Sequence, residues 1–347
     1  MHLVNLSIDK SQINPYLSET LLSKIEEVIN NGEKVILYLN KRGQFNSIIC
    51  NDCQNLFKCK NCDISMSVHK YPAKLICHLC SYSEDIPISC IKCGGINLYN
   101  IGVGTQQIED SLNKLPLLTK EGAGGRSVFR FDTDTMKTKK SKSEAIQNLE
   151  KADIIIGTKM ITTGFNFDKV GLIGVILLEQ ELQIPKYNTE ESVYINIRQL
   201  IGRGGRVGQK TDFIIQSFIP DNEIVQSIIY DNYKSFFIKT LNERKLFNYP
   251  PFGEVVTLEY RHSSEKKSLE FMQKLNNKLN ILLEEKNTPL LDKEGLGVVE
   301  IIFNPKSIKK INQYYYKIII KGDKRRTFIE KIKPEIIRNS GLNVIFD

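Results

Sequence analysis

The 347-residue sequence has no tryptophan, no Gly-Lys dipeptide and no Asp-Glu dipeptide. Without tryptophan, any stacking on nucleic-acid bases falls to Phe, Tyr, His or Arg. Without Gly-Lys there is no G-x-x-x-x-G-K-[ST] loop, in which backbone amides and a lysine cradle the phosphates of a nucleotide. Without Asp-Glu the usual carboxylate pair for magnesium and an attacking water is missing. No apolar run reaches the roughly 18 residues of a membrane span. The start, Met1-His2-Leu3-Val4, is not that of a signal peptide. The expected location is therefore cytoplasmic, with no membrane partner. At 41% hydrophobic and 25% charged the chain is ordinary globular material, long enough for two domains or one large domain with an insert. Its net charge of +8 is a modest bias toward polyanions such as nucleic acid.

Cysteine is missing everywhere except between residues 50 and 93, where all eight stand as four Cys-x-x-Cys pairs: Cys50/Cys53, Cys59/Cys62, Cys77/Cys80 and Cys90/Cys93. Two intervening residues make a knuckle that points both sulfurs at one ion, and two knuckles complete a tetrahedral site, so eight thiolates predict two zinc ions. Disulfides fit poorly in a chain without a secretory signal, and the spacing favours zinc over an iron–sulfur cluster. Sequential, crossed and nested pairings are all chemically allowed. Nesting is favoured: it places Cys59, Cys62, Cys77 and Cys80 around a loop of ordinary zinc-ribbon length, and Cys50, Cys53, Cys90 and Cys93 close a second site over it. His69 and His78 are surplus to eight sulfurs and read as surface or packing residues.

Around this segment the pattern is α/β. An amphipathic helix over Leu17–Asn30 precedes a buried strand, Lys34–Leu39, and the polar turn Asn40-Lys41-Arg42-Gly43. After the cysteines come a helix from Gln106 to about Leu115, a strand at Val128–Phe131, a helix at Ser141–Leu149, and strands at Asp153–Ile156 and Leu172–Leu178. A helix at Ser192–Ile201 and a strand at Phe213–Phe218 complete this part. Strands alternating with helices predict a parallel sheet covered on both faces. Composition shifts near Asn248-Tyr249-Pro250-Pro251-Phe252. The remainder predicts a small α+β domain: strand Val255–Tyr260, helix Ser264–Glu285, strands Val298–Phe303 and Tyr314–Ile320, helix Arg325–Arg338 and strand Val344–Phe346. Its basic clusters, Lys309/Lys310 and Lys324/Arg325/Arg326, read either as a solvated face or as phosphate contacts. Tyr314-Tyr315-Tyr316 beside them reads as core or as a stacking platform.

Two further motifs carry chemistry. Gln199-Leu200-Ile201-Gly202-Arg203-Gly204-Gly205-Arg206 has the form Q-x-x-G-R-x-x-R, with two arginines three residues apart on one helical face. Planar guanidinium groups grip phosphate and stabilise charge spreading over a transferring phosphoryl group. Upstream, Thr158-Lys159-Met160-Ile161-Thr162-Thr163-Gly164 follows a buried strand and offers hydroxyls, an ammonium and backbone amides to a nucleic-acid backbone.

With Leu39-Asn40-Lys41-Arg42-Gly43, the four knuckles, Gly102-Val103-Gly104-Thr105-Gln106, Gly157-Thr158-Lys159-Met160, the arginine motif and Tyr249-Pro250-Pro251-Phe252, the chain resembles the primosomal replication-restart helicases (primosomal protein N′), which are superfamily 2 DNA helicases. The resemblance covers essentially the whole chain. It implies a second RecA-like lobe at 1–48 and 98–247, an inserted double zinc-ribbon segment at 49–97, and a C-terminal α+β DNA-binding domain at 248–347. The family's first lobe and N-terminal DNA-binding domain are expected not to be on this chain, which would make it a fragment, a split gene's second half or a truncated product.

By the same resemblance Arg206 is the finger that stabilises transition-state charge, Arg203 contacts phosphate beside it, and Gln199 couples the lobes. Gly164 and Gly202 are implied at the nucleotide, and Thr158, Lys159, Thr163 and Arg42 at DNA. ATP and Mg2+ are expected only with a first helicase lobe, which would be supplied on another chain. Implied partners are forked and single-stranded DNA, primosome proteins and single-strand-binding protein, and the implied activity is 3′-to-5′ unwinding at stalled forks. The sequence departs from the family at Thr162–Phe167, at Glu179-Gln180-Glu181 in place of an Asp-containing segment, and at Lys186-Tyr187-Asn188. A zinc-bearing DNA-binding module without ATPase activity is the alternative reading, and a zinc-ribbon RNA-binding protein a weaker one.

Overall fold

The computed structural model describes residues 1–39, 47–61, 64–70, 73–77, 82–115, 127–131, 147–162, 167–184, 186–204, 210–284, 300–310, 313–322 and 329–346. They group into two compact units, one of residues 1–57, 65–75 and 85–236, the other of residues 58–64, 76–84 and 237–347.

The first unit is built on six parallel strands: β1 (His2–Asn5), β2 (Lys34–Tyr38), and, beyond the cysteine segment, β8 (Val128–Phe131), β9 (Ile154–Gly157), β10 (Val170–Val175) and β11 (Asp212–Ser217). Their order across the sheet is β1-β11-β10-β2-β9-β8, with every neighbouring pair parallel. The central strands β2, β9 and β10 are runs of Val, Ile and Leu buried on both faces, as a parallel sheet covered by helices requires. Helix α1 (Glu19–Asn30) buries Leu21, Leu22, Ile25, Val28 and Ile29 against β2 and β10, and Ser18 caps it by accepting from Leu21 N at 3.0 Å. The approach is close because β10 carries Gly174, where a Cβ would sit 2.9 Å from Leu37 Cδ2 and 3.0 Å from Leu21 Cδ1.

The cysteine segment leaves the sheet after β2 and holds β3 (Ser47–Cys50), β4 (Ser67–Lys70), β5 (Ala73–Ile76), β6 (Ser83–Asp85) and β7 (Leu98–Ile101). β3 and β7 form an antiparallel ribbon, and β4, β5 and β6 a three-stranded sheet in that order. Helix α2 (Thr105–Leu112) returns the chain to β8, against which it packs. A short helix α3 (Glu179–Leu182) follows β10, and the sixteen-residue helix α4 (Thr189–Gly204) packs on β10 before the chain enters β11. Helix α5 (Glu223–Ile229) follows, then helix α6 (Tyr233–Leu246), whose Phe236 stacks on Tyr194 of α4 at 4.9 Å between ring centroids.

The second unit contains an antiparallel sheet of β12 (Val255–His262), β13 (Glu300–Lys310), β14 (Gln313–Lys321) and β15 (Leu342–Phe346), in the order β13-β14-β12-β15. Helix α7 (Glu265–Glu284) packs Met272, Leu275 and Leu279 onto Leu258, Ile318 and Ile320 of the sheet, and helix α8 (Lys333–Arg338) precedes β15. Tyr316 lies in this core, whereas Tyr314 and Tyr315 are half-buried. Before β12 Tyr249 is buried, and its N–H donates to Arg244 O at 2.7 Å.

The α/β and α+β division read from the sequence is the architecture observed, with instructive differences. The strand expected over Leu172–Leu178 runs from Val170 to Val175, and Ile176–Leu178 turn into α3 while staying buried. A continuous apolar run looks the same in either conformation. β1, α5 and α6 were not anticipated: β1 has four residues with only Val4 fully buried, and α6 buries only Phe236. Residues 141–146 of the helix expected at Ser141–Leu149 lie outside the described residues, as do the cluster at Lys324–Arg326 and the side chains of Lys309 and Lys310.

Candidate metal centre and candidate phosphate-contact residues

The β3–β7 ribbon pairs Cys50 with Leu98 and so sets the Cys50–Asn55 loop beside the Cys90–Gly95 loop. The sulfurs of Cys50, Cys53, Cys90 and Cys93 all lie within 4.8 Å of one another, with Cys50 to Cys93 at 3.7 Å and Cys53 to Cys90 at 3.6 Å. A tetrahedral zinc ion with Zn–S bonds of about 2.3 Å spaces its sulfurs about 3.8 Å apart, so this donor set fits zinc. These are the two outer knuckles of the nested arrangement.

Each loop is closed by the same backbone bond, from the first cysteine's N–H to the carbonyl five residues on: Cys50 to Asn55 at 3.0 Å and Cys90 to Gly95 at 2.7 Å. The fifth residue of each loop adopts positive φ, Gln54 at 59° and Gly94 at 74°. Glycine is the natural occupant of that conformation. Gln54 has a second role: its amide donates to Asp221 Oδ2 at 2.6 Å and accepts from Asp221 N at 2.8 Å, tying the knuckle to the loop after β11. Ser7, just after β1, adds a bond from its Oγ to Asn51 Oδ1 at 2.5 Å.

Without a cation these thiols resist uniform ionisation. Burial pushes Cys50 up, and burial with the Cys93 thiol pushes Cys53 up to about 12. Burial opposes ionisation of Cys90 as well, but the N–H groups of Lys92 and Cys93 and the neighbouring Cys53 and Cys50 thiols outweigh it and lower it to about 7. A divalent cation removes this conflict by stabilising all four thiolates together.

The inner knuckles repeat the loop. Cys59 N donates to Ile64 O at 2.8 Å and Cys77 N to Tyr82 O at 2.8 Å, the same five-residue closure, and both cysteines are buried. Cys62 and Cys80 lie outside the described residues, as does His78; His69 is half-buried on β4.

The Thr158–Gly164 and Gln199–Arg206 motifs fall at different places on the parallel sheet. Thr158, buried, and Lys159, exposed, follow β9 at the carboxyl edge, where residues 159–162 form a 3-10 turn packed on α4. α4 runs antiparallel to the strands and brings Gln199, Gly202 and Arg203 toward the amino edge. There Gly204 lies against Thr211 and Phe213, and Thr211 Oγ1 donates to Val170 O at 2.7 Å. Gln199 and Gly202 are exposed, and the space a Cβ on Gly202 would fill is open. Arg203 is on the last turn of the described helix, with its side chain outside the description. Arg42, Thr163, Gly164 and Arg206 lie outside the described residues altogether.

Sequence reasoning treated Glu179-Gln180-Glu181 only as a departure from a family pattern; all three side chains prove to be buried in α3. Glu179 Oε1 accepts from Ser217 Oγ and from Ile219 N at 3.0 Å, while Oε2 has no hydrogen-bond partner among the described residues. Burial raises its pKa above the ordinary value of 4.5, against the lowering effect of Ser217. Gln180 makes a reciprocal pair with the backbone of Val103, accepting at 3.2 Å and donating at 2.9 Å. Glu181 accepts from Tyr38 Oη at 2.8 Å and from Asn196 Nδ2 of α4. Leu182 O accepts from Ser65 Oγ of the cysteine segment at 3.2 Å. The available signal was the pair of acidic residues directly after a fully apolar strand, where a carboxylate is either buried with partners or misplaced.

A family profile described as "PriA DNA helicase Cys-rich region (CRR) domain" matches residues 59–84. Replication restart protein PriA of Chlamydia pneumoniae is 34% identical over 86% of this chain and 39% of its own length. PriA of Bacillus subtilis is 33% identical over 74% of the chain and 31% of its own length, and PriA of Borreliella burgdorferi 28% identical over 95% and 47%. The chain corresponds to a C-terminal part of PriA. It spans less than half the length of these PriA relatives. The PriA profile and the four-cysteine cluster together support zinc binding, and no described helix is long and apolar enough to cross a membrane.

Proposed function

We propose that this chain is the second half of an ATP-driven DNA helicase of replication restart, acting with a first lobe that carries the phosphate loop. The observation that carries this reading is the continuity of the PriA similarity across the parallel sheet, the cysteine segment that interrupts it, and the region beyond. The chain's parts are 1–48 with 98–247, 49–97 and 248–347; β1, β2 and β8–β11 fall in the first of these, and the β3–β7 ribbon straddles its boundary with the second. Two zinc ions occupy the insert, one on Cys50, Cys53, Cys90 and Cys93, the other on Cys59, Cys62, Cys77 and Cys80. Arg206 supplies the finger, with Arg203 on phosphate, Gln199 between the lobes, and Gly202 and Gly164 close to the nucleotide. Arg42, Thr158, Lys159 and Thr163 track the DNA backbone. The substrate is forked and single-stranded DNA unwound 3′ to 5′ in the cytoplasm, with primosome proteins and single-strand-binding protein as partners.

The test mixes the zinc-loaded chain with a separately expressed first lobe from the same genome and measures DNA-stimulated ATP hydrolysis. Hydrolysis appears only in the mixture, and Arg206→Ala lowers turnover about 10³-fold, the usual cost of losing an arginine that acts across a cleft. Zinc content is unchanged in that variant. Hydrolysis by the chain unaided, or an active mixture indifferent to Arg206→Ala, sinks the assignment. A second reading, a zinc-bearing DNA-binding module without ATPase activity, is favoured by the missing Gly-Lys dipeptide. It predicts salt-sensitive DNA binding with an inert mixture.

A further inference from the structure

α3 places four consecutive residues against five separate parts of the first unit. Glu179 holds the end of β11, Gln180 the backbone at Val103 where the chain returns from the cysteine segment, Glu181 both β2 and α4, and Leu182 the Ser65 hydroxyl within the segment. Glu181 is the member that reaches the arginine helix. Its side chain is 3% exposed, and the Tyr38 and Asn196 donors are buried as well, Tyr38 at 2% and Asn196 at 3%. Burial, with the adjacent Glu181 carboxylate, pushes the Tyr38 phenol well above its usual 10, so Tyr38 stays a donor at neutral pH. Asn196 stands one helical turn before Gln199 and two turns before Arg203 on α4.

We propose that Glu181 is a positioning residue: by gripping Asn196 and Tyr38 together it seats the helix that carries Gln199 and Arg203 against the end of β2, while Gln180 and Leu182 lock the same short helix to the cysteine segment. The arginine helix and the insert are thereby referenced to one element. For ATP turnover this rests on the function proposed above; the seating of α4 does not. Removing the carboxylate strands two buried donors, each of which is costly to leave unpaired. Glu181→Gln is tolerated, because one amide oxygen and one amide N–H suffice once the Tyr38 hydroxyl or the Asn196 amide reverses its role.

The experiment compares wild type, Glu181→Leu, Glu181→Gln and the milder Tyr38→Phe, each as the full zinc-loaded chain. Hydrogen exchange is followed at residues 196–204 and, as an internal reference, at 313–321. Glu181→Leu speeds exchange at 196–204 about tenfold or more, Tyr38→Phe by less, and Glu181→Gln restores protection, all with the reference strand unchanged. In an active mixture with the first lobe, Glu181→Leu lowers kcat about tenfold with little change in KM for ATP, and Glu181→Gln recovers it, because arginine placement matters most in the transition state. Unchanged exchange at 196–204 in Glu181→Leu overturns the proposal, and so does a uniform rise that includes the reference strand. Loosened exchange with wild-type kcat overturns the positioning role in turnover. A wild-type mixture without ATPase activity sinks the proposed function instead, and the exchange data then decide the seating by themselves.

Discussion

The parallel sheet and the outer four-cysteine site belong to the same compact unit but are held together by different physics. In β2, β9 and β10 nearly every side chain is buried, and Leu37, Ile155 and Ile173 have no exposed surface. Burial of such side chains stabilises by about 1.5–3 kcal/mol each, enough for a self-sufficient sheet. Around the outer site Ile88 is 90% exposed, Ile91 79% and Ile96 74%. Its loops have their backbone closures and the Gln54 and Ser7 ties, but no apolar interior of their own. A segment of that kind needs the metal to repay the entropy of ordering it.

The sharpest way to break the comparison is to take the metal away. Cys90→Ser removes one of four sulfurs, and metal analysis should show a loss of about one zinc per chain, since four thiolates fill one tetrahedral ion. Hydrogen exchange at 50–55 and 90–95 should lose its protection while β2, β9 and β10 keep theirs. Loss of protection in the sheet as well would mean that the sheet also depends on the metal.

The reverse experiment strikes the sheet. Ile155 is fully buried in β9 between β2 and β8. Ile155→Ala leaves a cavity and should cost about 2–5 kcal/mol in urea-induced unfolding followed at the sheet. Zinc content should stay at the wild-type level in protein that remains folded. A parallel loss of zinc would show that the two regions fold as one cooperative unit.

The sequence made the two regions legible to different depths. The sheet's central strands announce themselves as Val/Ile/Leu runs, and the cysteine pairs by their spacing, which is why both the α/β class and the candidate ligands were readable. The strand order was not, because it depends on which helices cross which face. Spacing favours nested knuckles without excluding the other pairings; the β3–β7 ribbon brings the outer four cysteines together. β1 was missed because four residues with one fully buried side chain carry no periodicity. α3 was missed because its polar residues follow an apolar run without a break, and hydrogen-bond partners such as Val103, Asn196 and Ser65 are 77, 15 and 117 residues away. Acidic residues after an apolar run hint that a carboxylate is buried, but which distant groups satisfy it leaves no local trace in sequence.

The smallest expected effect at a single pH, and the one that most refines the comparison, concerns Glu179, a polar group set inside the apolar region. Its burial raises the folded-state pKa above the unfolded 4.5. The folded chain therefore binds this proton more tightly than the unfolded chain. The resulting stability is fully present below about pH 4.5 and is lost as pH rises through the folded-state value. Glu179→Gln cannot titrate, and its Oε1 can still accept from Ser217 and Ile219. The stability of the variant relative to wild type should thus climb as pH rises above about 4.5 and level off beyond the folded-state pKa. Urea titrations of both proteins at half-unit pH steps would reveal that slope. Ile155→Ala, which changes only packing, should show a pH-independent difference over the same range. If the Glu179→Gln difference is equally flat, the carboxylate is not desolvated in the way its burial implies, and the unpartnered Oε2 has found company that its surroundings in the fold do not show.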